Sequence, residues 1–214
     1  MLPYPPLNVR VHTPRLSLLA ATDDQLERLL PAVRAGVATE PPWPFDDPMS
    51  LYQDSPDREF AWLRGIWSGR SRVTESFWRL YFVVEADGEA GGMQDLVGRD
   101  FGDFGTVTTF SWLAAGARGR GLGKEMRHAV LHLAFEGLGA LEASSDAFHD
   151  NHGSNRVSAA LGYEPNGLDW ATRRGEAGQL QRWRLTRAAW QERRRDDITL
   201  EGVAECLPLL GRSG

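Results

Sequence analysis

The chain has 214 residues, 42% hydrophobic and 25% charged, with a net charge of −5 and a single cysteine, Cys206. That length suits one sizeable core, so a single domain over 1–214 is expected, and the acidic balance argues against a broad nucleic-acid surface. One cysteine forms no internal disulfide and fits a reducing compartment. No apolar run reaches the ~18 residues of a membrane span, and Met1–Pro6 has no signal-peptide core, so a cytoplasmic location with no membrane partner is expected.

Residues 10–20 alternate as a strand. Thr22-Asp23-Asp24-Gln25 is a capping-box pattern, and Leu26, Leu29, Leu30 and Val33 form the apolar stripe of the helix behind it. Residues 41–45 make a stiff, proline-rich aromatic loop. Its Trp43 and Phe45 are the predicted substrate-binding residues, since rigid aromatic loop positions give contact area to an acceptor pocket; Trp62, Trp67 and Trp78 read mostly as core. Residues 57–69 are helical in pattern. Phe77 to Glu85 and Glu89 to Val97 form a hairpin about Asp87-Gly88, and 98–105 is a loop.

Thr106 to Leu113 is the next strand. A helix follows it with Met126, Val130, Leu131, Leu133, Ala134 and Leu138 on its apolar face. Then come a strand (141–148), a short helix (153–161) and a hairpin of 168–174 with 179–185, turned by Glu176-Ala177-Gly178. Residues 187–195 are helical, and Arg193-Arg194-Arg195 at the end of that helix is answered by Asp196-Asp197. The tail carries Ile198, Leu200, Val203, Leu207, Leu209 and Leu210. Apolar residues left over after the core is complete find another surface, so a homo-oligomer, a dimer, is expected with 196–214 at its interface; the competing reading folds the tail back onto its own domain.

The stretch Arg118-Gly119-Arg120-Gly121-Leu122-Gly123-Lys124 sits between an apolar strand and an amphipathic helix. Strand, glycine turn and helix together make a phosphate cradle: the first N–H groups of the helix lack partners, and the helix dipole favours an anion. A Walker A loop does not fit, because Arg118 stands at its first glycine and Glu125 at its Ser/Thr. A dinucleotide fingerprint fails at its third glycine, which falls on Lys124 or Met126. The pattern [QR]-x-x-G-x-[GA] does fit, through Arg118, Gly121 and Gly123.

With that loop the chain resembles the GNAT superfamily of N-acetyltransferases. Three further stretches support the resemblance and narrow it to RimJ/RimL-like members: Ser111-Trp112-Leu113 before the loop, Asn151-x-x-Ser154-x(6)-Leu161-Gly162-Tyr163 after it, and Thr13-Pro14-Arg15-Leu16-Ser17-Leu18 near the start. It covers about residues 10–190. It implies an α/β fold: one domain with a mixed, twisted central sheet, splayed between the family's strands four and five and flanked by helices. It also implies transfer of an acyl group from a coenzyme A thioester to a primary amine by direct attack in a ternary complex. Acetyl-CoA is the default donor, and a succinyl group is an alternative if Arg173, Arg174, Arg182 and Arg184 meet its carboxylate. The acceptor is a protein N-terminus, a polyamine-like metabolite or an aminoglycoside. A non-catalytic acyl-CoA sensor is the alternative of another class.

By the same resemblance the cofactor-binding residues are Trp112, Leu113, Arg118, Gly119, Arg120, Gly121, Leu122, Gly123, Lys124, Asn151 and Ser154. The family's acidic tyrosine falls at Ser158, and Ser154 lies one turn earlier, so Ser154 and Ser158 are joint candidates for protonating the thiolate. For Ser154 capping the helix is the competing role. The strand-four glutamate that many members use as base is absent from residues 106–113. The nearest acids, Glu142, Asp146 and Asp169, read as surface groups. An α-amine, titrating near pH ~8, loses its proton with the least help and is the easier acceptor. Cys206 lies far from these signatures and is no nucleophile. His128 and His132 are spaced i, i+4, but no third ligand accompanies them, and with His149 and His152 they read as surface positions; no metal is expected.

Overall fold

Nine strands form one sheet in a computed structural model that describes residues 3–38 and 40–212. The strands are β1 (Arg10–His12), β2 (Ser17–Ala20), β3 (Phe77–Ala86), β4 (Glu89–Arg99), β5 (Thr106–Leu113), β6 (Glu142–Phe148), β7 (Glu164–Arg173), β8 (Glu176–Thr186) and β9 (Thr199–Glu201). Their order across the sheet is β7-β8-β6-β5-β4-β3-β2-β1-β9. Every neighbouring pair is antiparallel except β5 and β6. Among the described residues the α-helices are α1 (Asp23–Ala35), α2 (Asp57–Arg70), α3 (Phe101–Phe104), α4 (Leu122–His132), α5 (His152–Ala160) and α6 (Arg187–Gln191).

Two cores follow from period-2 alternation along the strands. On one face Trp78, Leu80, Phe82 and Leu96 pack against Met126, Val130 and Leu133 of the α4 segment. On the other face Val83, Met93 and Trp112 pack against Leu26, Leu29 and Val33 of α1 and Trp62 and Ile66 of α2. Helix α1 starts where Thr22 caps it, the hydroxyl accepting from the Gln25 amide at 3.4 Å.

Several sequence expectations change. Residues 10–20 are two strands, because Pro14 interrupts the ladder and Thr13 closes a turn onto Leu16. The late hairpin turns at Arg174-Gly175, both at positive φ, and Gly178 lies within β8. Trp67 is 45% exposed rather than core, with its indole N–H donated to Asp23 at 3.1 Å.

The tail folds back. β9 pairs with β1; Ile198, Cys206 and Leu210 are buried in the main core; and the Trp78 indole donates to the Leu210 carbonyl. The tail's buried apolar groups complete the protein's own core, so they supply no argument for an interface. No helix among the described residues is long and apolar enough to cross a membrane.

Candidate active site

β5 and β6 pair in parallel only through Thr106–Thr108 and Glu142–Ser144. Beyond that point each strand keeps its outer partner, β4 or β8, and the inner edges separate. A cavity of about 830 Å³ opens in this splay, with the start of α4 at one side and the loop after α1 at another.

The glycine run forms the donor side. Gly119 and Gly121 have φ of +73° and +80°, a conformation other residues rarely adopt, and Gly121 caps α4. The amides of Gly119, Arg120, Gly121, Leu122 and Gly123 find no acceptor among the described residues. Gly119, Gly121, Gly123 and Lys124 line the cavity, as do Trp112 and Leu113 of β5. Leu122 is buried and offers only its N–H.

The two arginines of the run do different work. Arg118 turns back, donating from Nε to the Leu113 carbonyl at 2.9 Å and from Nη2 to the Val37 carbonyl, and so braces the loop against the end of β5. Arg120 points away from the cavity and pairs with Asp87 at 2.6 Å. Its carbonyl accepts from Arg15 at 2.6 Å. Arg15, quoted above only as part of the opening strand, is thus a second cation beside the loop.

α5 supplies the opposite wall. Asn151 caps it, accepting from the Ser154 amide at 3.2 Å, and both residues line the cavity. Of the two acid candidates, Ser154 lines the cavity and Ser158 does not: Ser158 is 1% exposed, its hydroxyl buried without a partner.

The acceptor side comes from the proline loop. Phe45 lines the cavity and packs against Phe110 at 5.2 Å between ring centroids. Trp43 does not line the cavity: it packs against Tyr52 and beneath the Arg174 guanidinium. The loop is docked on the late hairpin. The Asp47 amide donates to the Thr172 carbonyl at 2.7 Å, and Arg173 holds both the Trp43 carbonyl and the Asp150 carboxylate.

Of the three acids near the absent glutamate, two are engaged elsewhere: Glu142 with Arg184 and Asp169 with Arg182. Asp146 lines the cavity instead. Desolvation pushes its carboxyl above the ordinary carboxylate range, and the charges of Asp46 and Asp169 push further, against Arg127 and Arg182. Asp46 also lines the cavity. One side therefore presents free amides and Lys124 to an anion, and another presents Asp46 and Asp146 to a cation. Among the described residues no group of three or more His, Cys, Asp or Glu could hold a metal ion. His132 packs edge-on to Trp190 instead.

The architecture has close counterparts. Mycobacterium smegmatis RimJ in complex with CoA-disulfide superposes with a TM-score of 0.69 at 19% identity, covering 87% of this chain and 90% of that one. The Salmonella typhimurium acetyltransferase that modifies the N-terminal serine of ribosomal protein L7/L12 gives 0.62 at 16% identity, covering 81% and 96%. A RimL ribosomal L7/L12 α-N-protein acetyltransferase in complex with coenzyme A gives 0.63 at 15% identity, covering 81% and 95%. The family model for the acetyltransferase (GNAT) domain matches residues 15–164. The chain belongs to the GNAT acetyltransferase family.

Proposed function

We propose that this protein transfers an acyl group from a coenzyme A thioester to the α-amine of a peptide or a similarly weak amine base. The observation that carries this is the splay cavity itself, lined on the donor side by Gly119, Gly121 and Gly123, whose amides have no acceptor among the described residues, and on the acceptor side by Asp46 and Asp146. The amides of residues 119–123, at the positive end of α4, suit a pyrophosphate. The inner edge of β5 at Trp112 and Leu113 suits the amide-bearing pantetheine arm, which takes the place of a missing strand. The solved relatives that modify ribosomal-protein N-termini favour an α-amine over a lysine.

Asp146 takes the proton as the amine nitrogen attacks the thioester carbonyl. A carboxyl held above its usual range is a better base at neutral pH than an ordinary surface aspartate. The carbon–sulfur bond then breaks, and Ser154, on the facing wall, passes its proton to the departing thiolate while it regains one through solvent from the newly protonated Asp146, so both groups end as they began. The products are an amide and free coenzyme A, so the attack is direct and needs no covalent enzyme intermediate. Cys206 is buried in the tail, and desolvation pushes its thiol up to about 12, so it is no nucleophile.

Turnover of acetyl-CoA and succinyl-CoA against a panel of N-terminal peptides, polyamines and aminoglycosides tests the proposal. Release of free thiol together with an N-acylated peptide is the expected result. Coenzyme A binding without transfer to any amine would overturn it in favour of a sensor.

A further inference from the structure

The hairpin arginines expected to meet an acyl carboxylate are taken. Arg173 holds Asp150, Arg174 stacks on Trp43, Arg182 pairs with Asp169 and Arg184 with Glu142. A different arginine lies in the cavity. Arg127, one turn beyond the glycine run on α4, is only 4% exposed and forms part of the cavity lining. Its guanidinium bridges the two splayed strands, donating to Ser111 Oγ of β5 at 3.4 Å and to Ser145 Oγ of β6 at 3.1 Å. Its Nε has no hydrogen-bond partner, and no carboxylate lies within ion-pair distance of it among the described residues.

A buried guanidinium held by two neutral hydroxyls, with Asp146 near enough to feel its charge but beyond ion-pair distance, is incompletely compensated. Taking a charge out of water is costly unless an opposite charge and full hydrogen bonding accompany it. Arg127 sits where the strands part, between the donor loop and Asp146, at the place where the acyl end of the thioester would lie. We infer that the missing anion arrives with the substrate: Arg127 reads the terminal carboxylate of a short dicarboxylyl-CoA, of malonyl to glutaryl length. A guanidinium presents paired N–H groups that match a carboxylate, and an acetyl group leaves them unanswered. This inference rests on the placement of coenzyme A proposed above.

Binding decides it without knowledge of the acceptor. Calorimetry is run with coenzyme A, acetyl-CoA and succinyl-CoA on the wild type and on Arg127→Gln and Arg127→Lys, with a thermal melt on each variant. Wild type is expected to bind succinyl-CoA at least about tenfold more tightly than acetyl-CoA. Arg127→Gln is expected to erase that difference while coenzyme A affinity stays within about threefold of wild type, and Arg127→Lys to keep part of it. Equal affinities for the two thioesters in wild type would overturn the inference. So would a folded Gln variant that keeps the wild-type preference for succinyl-CoA, or one that loses affinity for acetyl-CoA and succinyl-CoA in equal measure. Should Arg127→Gln not fold, the Lys variant and the wild-type comparison still decide. Wild type that fails to bind coenzyme A itself would overturn the placement of the cofactor, a result distinct from bound coenzyme A with no preference between acyl groups.

Discussion

Replacing Gly121 separates backbone strain from charge at the donor loop. Gly121 sits at φ +80°, so any side chain there costs roughly 1–2 kcal/mol of stability. A Cβ at this position would lie 3.2 Å from Arg15 Nη1, the end of a side chain able to shift. Gly121→Ala should therefore lower the melting temperature and leave coenzyme A affinity nearly unchanged. Gly121→Asp adds a negative charge. At about 5 Å from a pyrophosphate charge, in an effective dielectric of about 20, the repulsion is roughly 3 kcal/mol, a loss of more than about a hundredfold in Kd. If the new carboxylate instead captures Arg15, it withdraws a cation from the same anion, so the sign holds. Calorimetry with coenzyme A and a melt for both variants provides the measurement. Equal affinities for the Ala and Asp variants, both folded, would refute an anion held against these amides.

Asp146→Asn should cut kcat/KM by about 10²–10⁴ and abolish the acidic limb of the pH–rate profile, a limb that in wild type lies above the ordinary carboxylate range; an unchanged profile would exclude Asp146 as base. Ser154→Ala should lose turnover while keeping coenzyme A affinity, whereas Ser158→Ala, which removes a buried hydroxyl without a partner, should leave both turnover and stability near wild type; the reverse pattern would return the acid to Ser158. His128 is pushed down to about 4, by desolvation first and then by Arg195 and Lys124. The unfolded chain therefore binds its proton first, and the stability this group contributes is complete above about pH 6.5 and lost as pH falls to about 4. His128→Gln should flatten that fall, by an amount that solvent screening of the half-exposed ring keeps well under the full linkage value, as read by urea melts across the window.

The donor loop was legible because its chemistry is local. Glycine is needed where φ is positive, as at Gly119 and Gly121, so their spacing carried the shape of the loop. The same logic misplaced the late turn, because Gly178 is a glycine for another reason: a Cβ there would lie 2.8 Å from the Phe148 ring. The folded-back tail was one of two readings, but β9 itself went unseen since a three-residue strand is defined by its partner, β1, at the far end of the chain. Asp146 reads in the sequence as a surface group and Arg127 draws no reading, and only the divergence of β5 from β6 brings both to the cavity. The arginine of the motif, Arg118, was found, but its work is bracing the loop, which no spacing announces.

The central claim is that the gap between β5 and β6 is the acyl-CoA site. A crystal structure of the protein with coenzyme A tests it most directly. The account predicts the pyrophosphate on the amides of residues 119–123, the pantetheine arm lying between β5 and β6, and the sulfur near Ser154. Coenzyme A seated on any other surface, with the splay left open, would contradict it.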